Sequence, residues 1–407
     1  MAELRGIGYL RTKLINKRSR VLTRYNYYEM KNVIRDFGIS TPPHLQWFQE
    51  SLGWCGKAVD SLADRLRFKE FQNDNFNITE IYKMNNPDVL YDSAILSALI
   101  GSCSFIYISK DESGYPTMQV VDGSNATGII DPVTGMLTEG YAVLERDKNE
   151  EPTIEAYFIP GRTQFIEKTS KGINEYTVDY NCNFPLLVPI IYRPDAKRLF
   201  GHSRISRACM DIQNGAMRTI KRSEIAAEFF SYPQKYVTGL AEDAEPMDKW
   251  KATMSSLLTF TKDEDGDHPI MGQFAQQSME PHISQLKMFA ALFAGETGLT
   301  LDDLGFASGN PSSSDAIKAA HENLRLTARK AQGNLGTGFL NAGIVAASVR
   351  DNFAYNRVKF YETVPSWYPV FEADGASMSG TGDAIIKINQ AVPDYFDKDK
   401  IEGIIGV

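Results

Sequence analysis

The residue pattern predicts an α+β fold, and three observations carry that expectation. Between Tyr107 and Tyr192, short alternating runs such as MQVVDG, YAVLER, IEAYFIP, INEYTVD and LLVPIIY are separated by turn signals, among them Asp122 with Gly123, Asp131 with Pro132 and Pro160 with Gly161. Such spacing is what a mainly antiparallel sheet requires. Long stretches of helical period flank it, from about Ser203 to Phe230, from Ser278 to Gly298 and from Ala316 to about Val349. The longest apolar run, Ser93 to Ile108, falls short of the ~20 residues that a membrane span needs. It reads as a buried helix passing into a buried strand, with no membrane association.

The totals bound the class. A chain of 407 residues, 43% hydrophobic and 23% charged, is globular and should hold two or three modules. Its net charge of −8 argues against coating nucleic acid through bulk positive charge, although DNA could still slide past such a protein. Cys55, Cys103, Cys182 and Cys209 lie far apart and never form C-x-x-C, so buried reduced thiols are expected rather than a zinc site or a local disulfide framework. The N-terminus has basic residues but no apolar signal core, which implies a reducing cytoplasm.

In chain order, the segment to about Ser40 carries Arg5, Arg11, Lys13, Lys17, Arg18, Arg20 and Arg24 alongside Tyr25, Tyr27 and Tyr28. Basic residues with aromatics can contact nucleic acid, and they equally suit a solvated helix face or an arm docking on a neighbour. After the Pro42–Pro43 break, Leu45, Phe48, Leu52, Val59, Leu62 and Leu66 outline one packing helix. From Ser203 to Phe230, Ile205, Cys209, Ile212, Ala216, Ile220, Ala227 and Phe230 form a narrow stripe, while Arg204, Arg207, Arg218, Lys221 and Arg222 occupy the other faces. Only a thin seam should then be buried, along a helix of ~27 residues and ~40 Å. A small module follows: a strand near YPQKYV, an acidic linker with Glu242, Asp243 and Glu245, a turn around Trp250, and strands near LLTFT and PIMGQF. Between the last two, Asp263, Glu264, Asp265, Gly266 and Asp267 form a charged hairpin turn, and Phe274 stands where an EF-hand would need its final Glu.

The most informative stretch runs from Ser278 to Asn323. Ile283, Leu286, Ala290 and Phe293 recur at helical spacing, Ser278 and Pro281 sit at a helix start, and Gly295 and Gly298 mark its end. A loop with Asp302, Asp303, Gly305, Ser308 and Gly309 comes next, and Ser312 with Asp315 gives a second start signature. In the helix after it, Gly333, Gly336, Gly338 and Gly343 imply a kink or a close helix crossing rather than one straight rod. The tail holds a flexible ADGASMSGTG stretch, a helix around Ala384 to Ala391 and a second short helix after Asp397.

Catalytic signatures fail one by one. Gly333 to Gly338 follows a helix and lacks the Lys-Ser/Thr pair of a P-loop. The five histidines show neither H-x-x-x-H nor HExxH spacing, and there is no G-x-S-x-G elbow. Neither an enzyme, a cofactor nor a metal is expected. Asp302 and Asp303 could be acids or ligands, but a solvated loop explains them better.

The runs GETGLTLDDLGF and NPSSSDAIKAAHENL resemble the portal proteins of tailed bacteriophages, in which a stem helix leads through a tunnel loop into a long helix near an asparagine-proline-serine cluster. The likeness extends more loosely from about Tyr82 to Val407. It implies a homo-oligomeric ring, usually of twelve subunits, at one capsid vertex, packaging and ejecting double-stranded DNA. Residues 1–200 would be the wing, 201–230 and 279–298 the stem helices, 231–278 the clip, 299–313 the tunnel loop, 314–370 a long helix with a return to the wing, and 371–407 a crown.

Implied partners are the terminase large subunit, a major capsid or scaffold protein and a head-completion adaptor, with assembly in the host cytoplasm. Channel candidates are Arg218, Lys221, Arg222 and Lys287 on the stem and Thr300, Asp302, Asp303 and Ser308 in the loop. Motor or adaptor docking would fall to Glu242, Asp243, Glu245, Trp250, Asp263, Glu264 and Asp265. A different virion connector, a minor capsid component, or a nucleic-acid enzyme without a local motif are the alternatives.

Overall fold

The computed structural model describes residues 4–37, 41, 43–169, 172–231, 235–238, 270–273, 278–306, 319–371, 375–393, 395–396 and 401. Helix and sheet mix as the alternating and helical periods predict. The apolar run after Asp92 does both: α4 (Pro87–Gly101) ends at Ser102 and β2 (Cys103–Lys110) begins at once. Leu99, Ile100, Phe105 and Ile106 are almost wholly buried across that junction, which is why the run lacks amphipathic relief. Strand β2 is the centre of a three-stranded antiparallel sheet, between β3 (Pro116–Asp122) and β9 (Leu187–Ile191).

The rest of the alternating region makes a five-stranded antiparallel meander, β4 (Ala126–Ile130), β5 (Leu137–Arg146), β6 (Pro152–Ile159), β7 (Arg162–Thr169) and β8 (Gly172–Asp179). Helix α1 (Ile7–Tyr28) packs on it, burying Leu10 and Leu14 with Tyr141, Val143 and Tyr157. Two carboxylates on the sheet hold this helix. Glu139 accepts the backbone N–H groups of Arg5 and Gly6 at 2.9 and 3.1 Å and the Tyr157 hydroxyl at 2.8 Å, so it satisfies donors that a helix start leaves open. Glu155 takes both arms of Arg11, at 3.1 and 2.7 Å, and accepts from Tyr141. Most of the basic face of α1 is thus turned inward onto its own sheet.

The helix expected from Leu45 onward is shorter than its apolar positions suggest. Leu45 belongs to a 3₁₀ turn (Pro43–Leu45), and α2 spans only Trp54–Ala63, starting after Gly53. The intervening stretch is tied to distant partners instead: Gln49 accepts from the Ile34 N–H at 3.2 Å, and the Gln46 carbonyl accepts from Lys221 at 3.3 Å. Strand β1 (Phe68–Gln72) pairs antiparallel with the late β12 (Val364–Trp367), and α3 (Ile78–Lys83) follows β1.

Helix α7 (Glu322–Asp351) runs unbroken for 30 residues through all four glycines. No kink is needed, because three of them mark close crossings. A Cβ on Gly336 would lie 2.9 Å from Pro365, one on Gly338 2.9 Å from Ile190, and one on Gly343 2.3 Å from Ile78. The glycine-rich run is therefore a contact ridge inside a helix and has no phosphate loop. Phe339 on this helix meets Phe68, Tyr91 and Trp367, and Tyr82 donates its hydroxyl to the Phe339 carbonyl at 2.7 Å. These contacts join residues 68–91 and 339–367, far apart in sequence, in one core.

In the tail, α8 (Gly375–Ala391) already occupies most of the stretch expected to be flexible. The short helix expected after Asp397 lies almost entirely outside the described residues. All four cysteines are free and buried, as their spacing implies. Among the described residues, no helix is long and apolar enough to cross a membrane.

Candidate functional site: a helical hairpin and its adjoining turn

Two helices far apart in sequence form an antiparallel hairpin, α5 (Arg207–Ser231) and α6 (Glu280–Thr297). Near its base, Ser206 donates to Glu296 at 2.8 Å, and the buried Arg204 donates to the carbonyls of Thr297 and Ala58. Midway, Gly215 lets the backbone approach the Phe289 ring, which a Cβ would meet at 2.8 Å. Further out, Thr219 donates to Gln285 at 3.0 Å. Toward the far end, β10 (Lys235–Thr238) and β11 (Ile270–Gln273) continue the antiparallel pairing. Helix α6 starts with Ser278 accepting from the Glu280 N–H at 3.1 Å, and Gly298 closes it in the left-handed region at φ 70°.

The opposite face of α5 is also covered, which corrects the expectation of a thin buried seam. Gln213 accepts from the Cys55 N–H at 2.8 Å, Asn214 donates to Tyr27 at 2.7 Å, and Met217, Lys221 and Ile225 are buried along with Cys209 and Ala216. An apolar stripe gives no sign of this face, because much of its burial falls on the polar residues Gln213, Asn214 and Lys221, whose partners Cys55, Tyr27 and Asp36 are distant in sequence. Helix α6 is the one left uncovered: Ile283, Met288 and Leu292 are 44%, 50% and 53% exposed.

The expected channel residues separate. Arg218 and Arg222 place their guanidinium groups 4.9 and 5.5 Å from the ring centre of Phe37, itself 66% exposed, so they sit together on an open aromatic-cationic surface. Lys221, between them in sequence, is fully buried, with its ammonium 2.7 Å from the Asp36 carboxylate. It faces into the subunit. Lys287 is exposed on α6. Phe37 and Asp36 had no sequence signal, since nothing local ties them to a helix that begins at Arg207.

The turn after α6 is built rather than merely solvated. Asp303 accepts from both the N–H and the hydroxyl of Thr300 at 2.9 Å, while the Thr300 hydroxyl accepts from the Asp303 N–H at 3.2 Å. This reciprocal pair caps a 3₁₀ turn (Asp302–Leu304). His321 lies 3.7 Å from Asp303, an ion pair only when the ring is protonated. Asp302 is exposed beside it. Ser308, Glu242, Asp243, Glu245, Trp250, Asp263, Glu264 and Asp265 lie outside the described residues. Among the described residues no cluster of His, Cys, Asp or Glu is placed to hold a metal.

A protein-family model described as "Phage portal protein, SPP1 Gp6-like" matches residues 7–368, which takes in the sheet body, the hairpin and α7. The chain belongs to this phage portal protein family. The portal proteins of Mycobacterium phages L5 and D29 are each 22% identical to it over 319 residues, covering 74% of this chain. The chain spans 65% of the length of those curated relatives. Among solved structures, a chain from the virion of a native gene transfer agent particle aligns at TM-score 0.47 and 11% identity, over 95% of this chain and 99% of its own. A neck chain of the empty particle aligns at 0.49 and 10%, over 88% and 90%. Both likenesses are too distant to inform the site of this portal-family protein.

Proposed function

We propose that copies of this chain close into a ring, of twelve as the resemblance implies, that forms a portal at one capsid vertex for packaging and ejecting double-stranded DNA. One observation carries the reading: a hairpin of two long helices whose outer member leaves Ile283, Met288 and Leu292 uncovered. Exposed apolar side chains on a rod-like element, with Met288 and Leu292 one turn apart on one face, suit head-to-tail packing against a neighbouring copy, the contact from which rings are built. The hairpin is then the stem, the sheet body before it the wing, residues 231–278 the clip, the turn after α6 the start of the tunnel loop, and α8 part of the crown.

Within that scheme Arg218, Arg222 and Lys287 supply transient phosphate contacts, and Thr300, Asp302 and Ser308 line the loop. Lys221 and Asp303 hold the hairpin and the turn in shape. The terminase large subunit and then a head-completion adaptor dock on the clip through Glu242, Asp243, Glu245, Trp250, Asp263, Glu264 and Asp265, and the capsid or scaffold protein meets the body.

Mass photometry of the purified chain, alone and after co-expression with its capsid or scaffold protein, tests the assembly. A closed species of ten or more copies is expected; a monomer under every condition overturns it. Replacing residues 241–268 with a Gly/Ser linker should spare the folded body but abolish packaging, and normal packaging would remove the clip from motor docking.

A further inference from the structure

The basic N-terminal helix leaves a remainder once its internal partners are assigned. Arg11 and Arg18 pair with Glu155 and Glu150 at 2.7 Å, Lys13 donates to the Gly128 carbonyl at 2.7 Å, Lys17 lies over the Phe105 and Phe200 rings, and Arg5 lies over Tyr9. Arg20 and Arg24 have no carboxylate partner among the described residues. They stand one helical turn apart on α1, so their side chains project from one face.

A third arginine joins them from the loop between β9 and α5. The ammonium groups of Lys13 and Lys17 lie 5.1 and 5.2 Å from the ring centre of Phe200, which brings that loop, and Arg198 with it, against the same helix. Arg198 is itself positioned: it donates to His202 Nδ1 at 3.3 Å, and His202 Nε2 donates to Asp195 at 2.6 Å. The other Asp195 oxygen accepts the N–H groups of Lys197 and Arg198, so this carboxylate is engaged within its own loop. Burial first, and then Arg20 and Arg198, hold the Arg24 guanidinium below its ordinary value, as expected where like charges crowd without a counter-ion.

We infer that Arg20, Arg24 and Arg198 form a binding site for the sugar-phosphate backbone of nucleic acid, on the body and apart from the helical hairpin. Guanidinium forks match phosphate oxygens, and three on converging elements provide the local charge that a chain of net −8 lacks as a whole. The neighbouring exposed residues Asn16, Ser19 and Thr23 are small and polar, which suits backbone contacts. An acidic protein segment would need an apolar anchor beside the arginines, and the exposed apolar residues of this part of α1, Ile15 and Leu22, fall on the other side of the helix from Arg20 and Arg24.

The test is fluorescence anisotropy of the purified full chain with a short duplex of random sequence, titrated with salt. Arg20→Gln with Arg24→Gln should weaken binding about tenfold or more and flatten the slope of log affinity against log salt by about 1 per arginine, with the circular dichroism spectrum and assembly size unchanged. Arg198→Gln alone should give a smaller loss in the same direction. Arg218→Gln with Arg222→Gln serves as the separate hairpin variant, so the channel reading and this site can fail independently. Unchanged affinity and slope in the folded double variant overturn the site. So does preferential binding of poly-glutamate over the duplex, which would assign the patch to an acidic protein partner.

Discussion

Gly343 approaches Ile78 so closely that a Cβ on the glycine would lie 2.3 Å from the Ile78 Cγ2. Ten residues earlier in the same helix, Gly333 is exposed with nothing within 4 Å of its would-be Cβ. The two positions set packing against propensity. Gly333→Ala should stabilise the protein by about 1 kcal/mol, the helix-propensity gain. Gly343→Ala should destabilise it by about 1–3 kcal/mol, because overpacking outweighs that gain. Thermal melts of the two variants check the opposite signs; stabilisation by both would mean that α7 and α3 do not cross this closely.

Lys221 is buried against Asp36, and removing either charge alone strands the other. Asp36→Asn should destabilise the chain by about 3 kcal/mol in urea unfolding. Lys221→Met should cost less in the Asp36→Asn background than in the wild type, since no charge is then left uncompensated. Equal losses in both backgrounds would show that the pair is not coupled.

Glu139 links the first turn of α1 to the sheet through Arg5, Gly6 and Tyr157, and is 1% exposed. Glu139→Ala should cost about 2 kcal/mol, because it leaves buried donors without acceptors. Hydrogen exchange should locate the change, with faster exchange across α1 and little difference in α7. Unaltered protection in α1 would mean that Leu10 and Leu14 hold the helix without the carboxylate.

Asp302 and Asp303 are adjacent but not equivalent. Asp303→Ala removes the cap on Thr300 and should destabilise the turn by about 1 kcal/mol. The charge test therefore belongs to Asp302→Lys alone, which should leave assembly intact and alter DNA translocation or retention, by less as salt rises. Identical behaviour at low salt would place Asp302 away from DNA.

Burial pushes the thiols of Cys55, Cys182 and Cys209 above their ordinary values, and Cys103 is buried as well. Iodoacetamide at pH 8 should label the native chain slowly and the denatured chain at four sites. Rapid native labelling at any of them would reveal a local opening.

What the sequence by itself determined is the kind of the sheet body and of the long helices, and the broad class. Alternation between Tyr107 and Tyr192 specified antiparallel strands because side chains on a strand change face at every residue, and the run into Ile108 specified a buried helix-strand junction because no polar face interrupts it. The glycine after Thr297 marked the end of α6 because a left-handed cap favours a residue without a Cβ. Only the tertiary structure decided which charges are available. Arg218, Lys221 and Arg222 look alike in sequence, yet Asp36 draws the middle one inside while Phe37 leaves the outer two at the surface. The same holds for Arg11 against Arg20, one matched by Glu155 and the other by no carboxylate among the described residues. A charge is neutralised by what lies a few ångströms away in space, and for these residues the decisive groups are brought close by folding rather than by spacing along the chain.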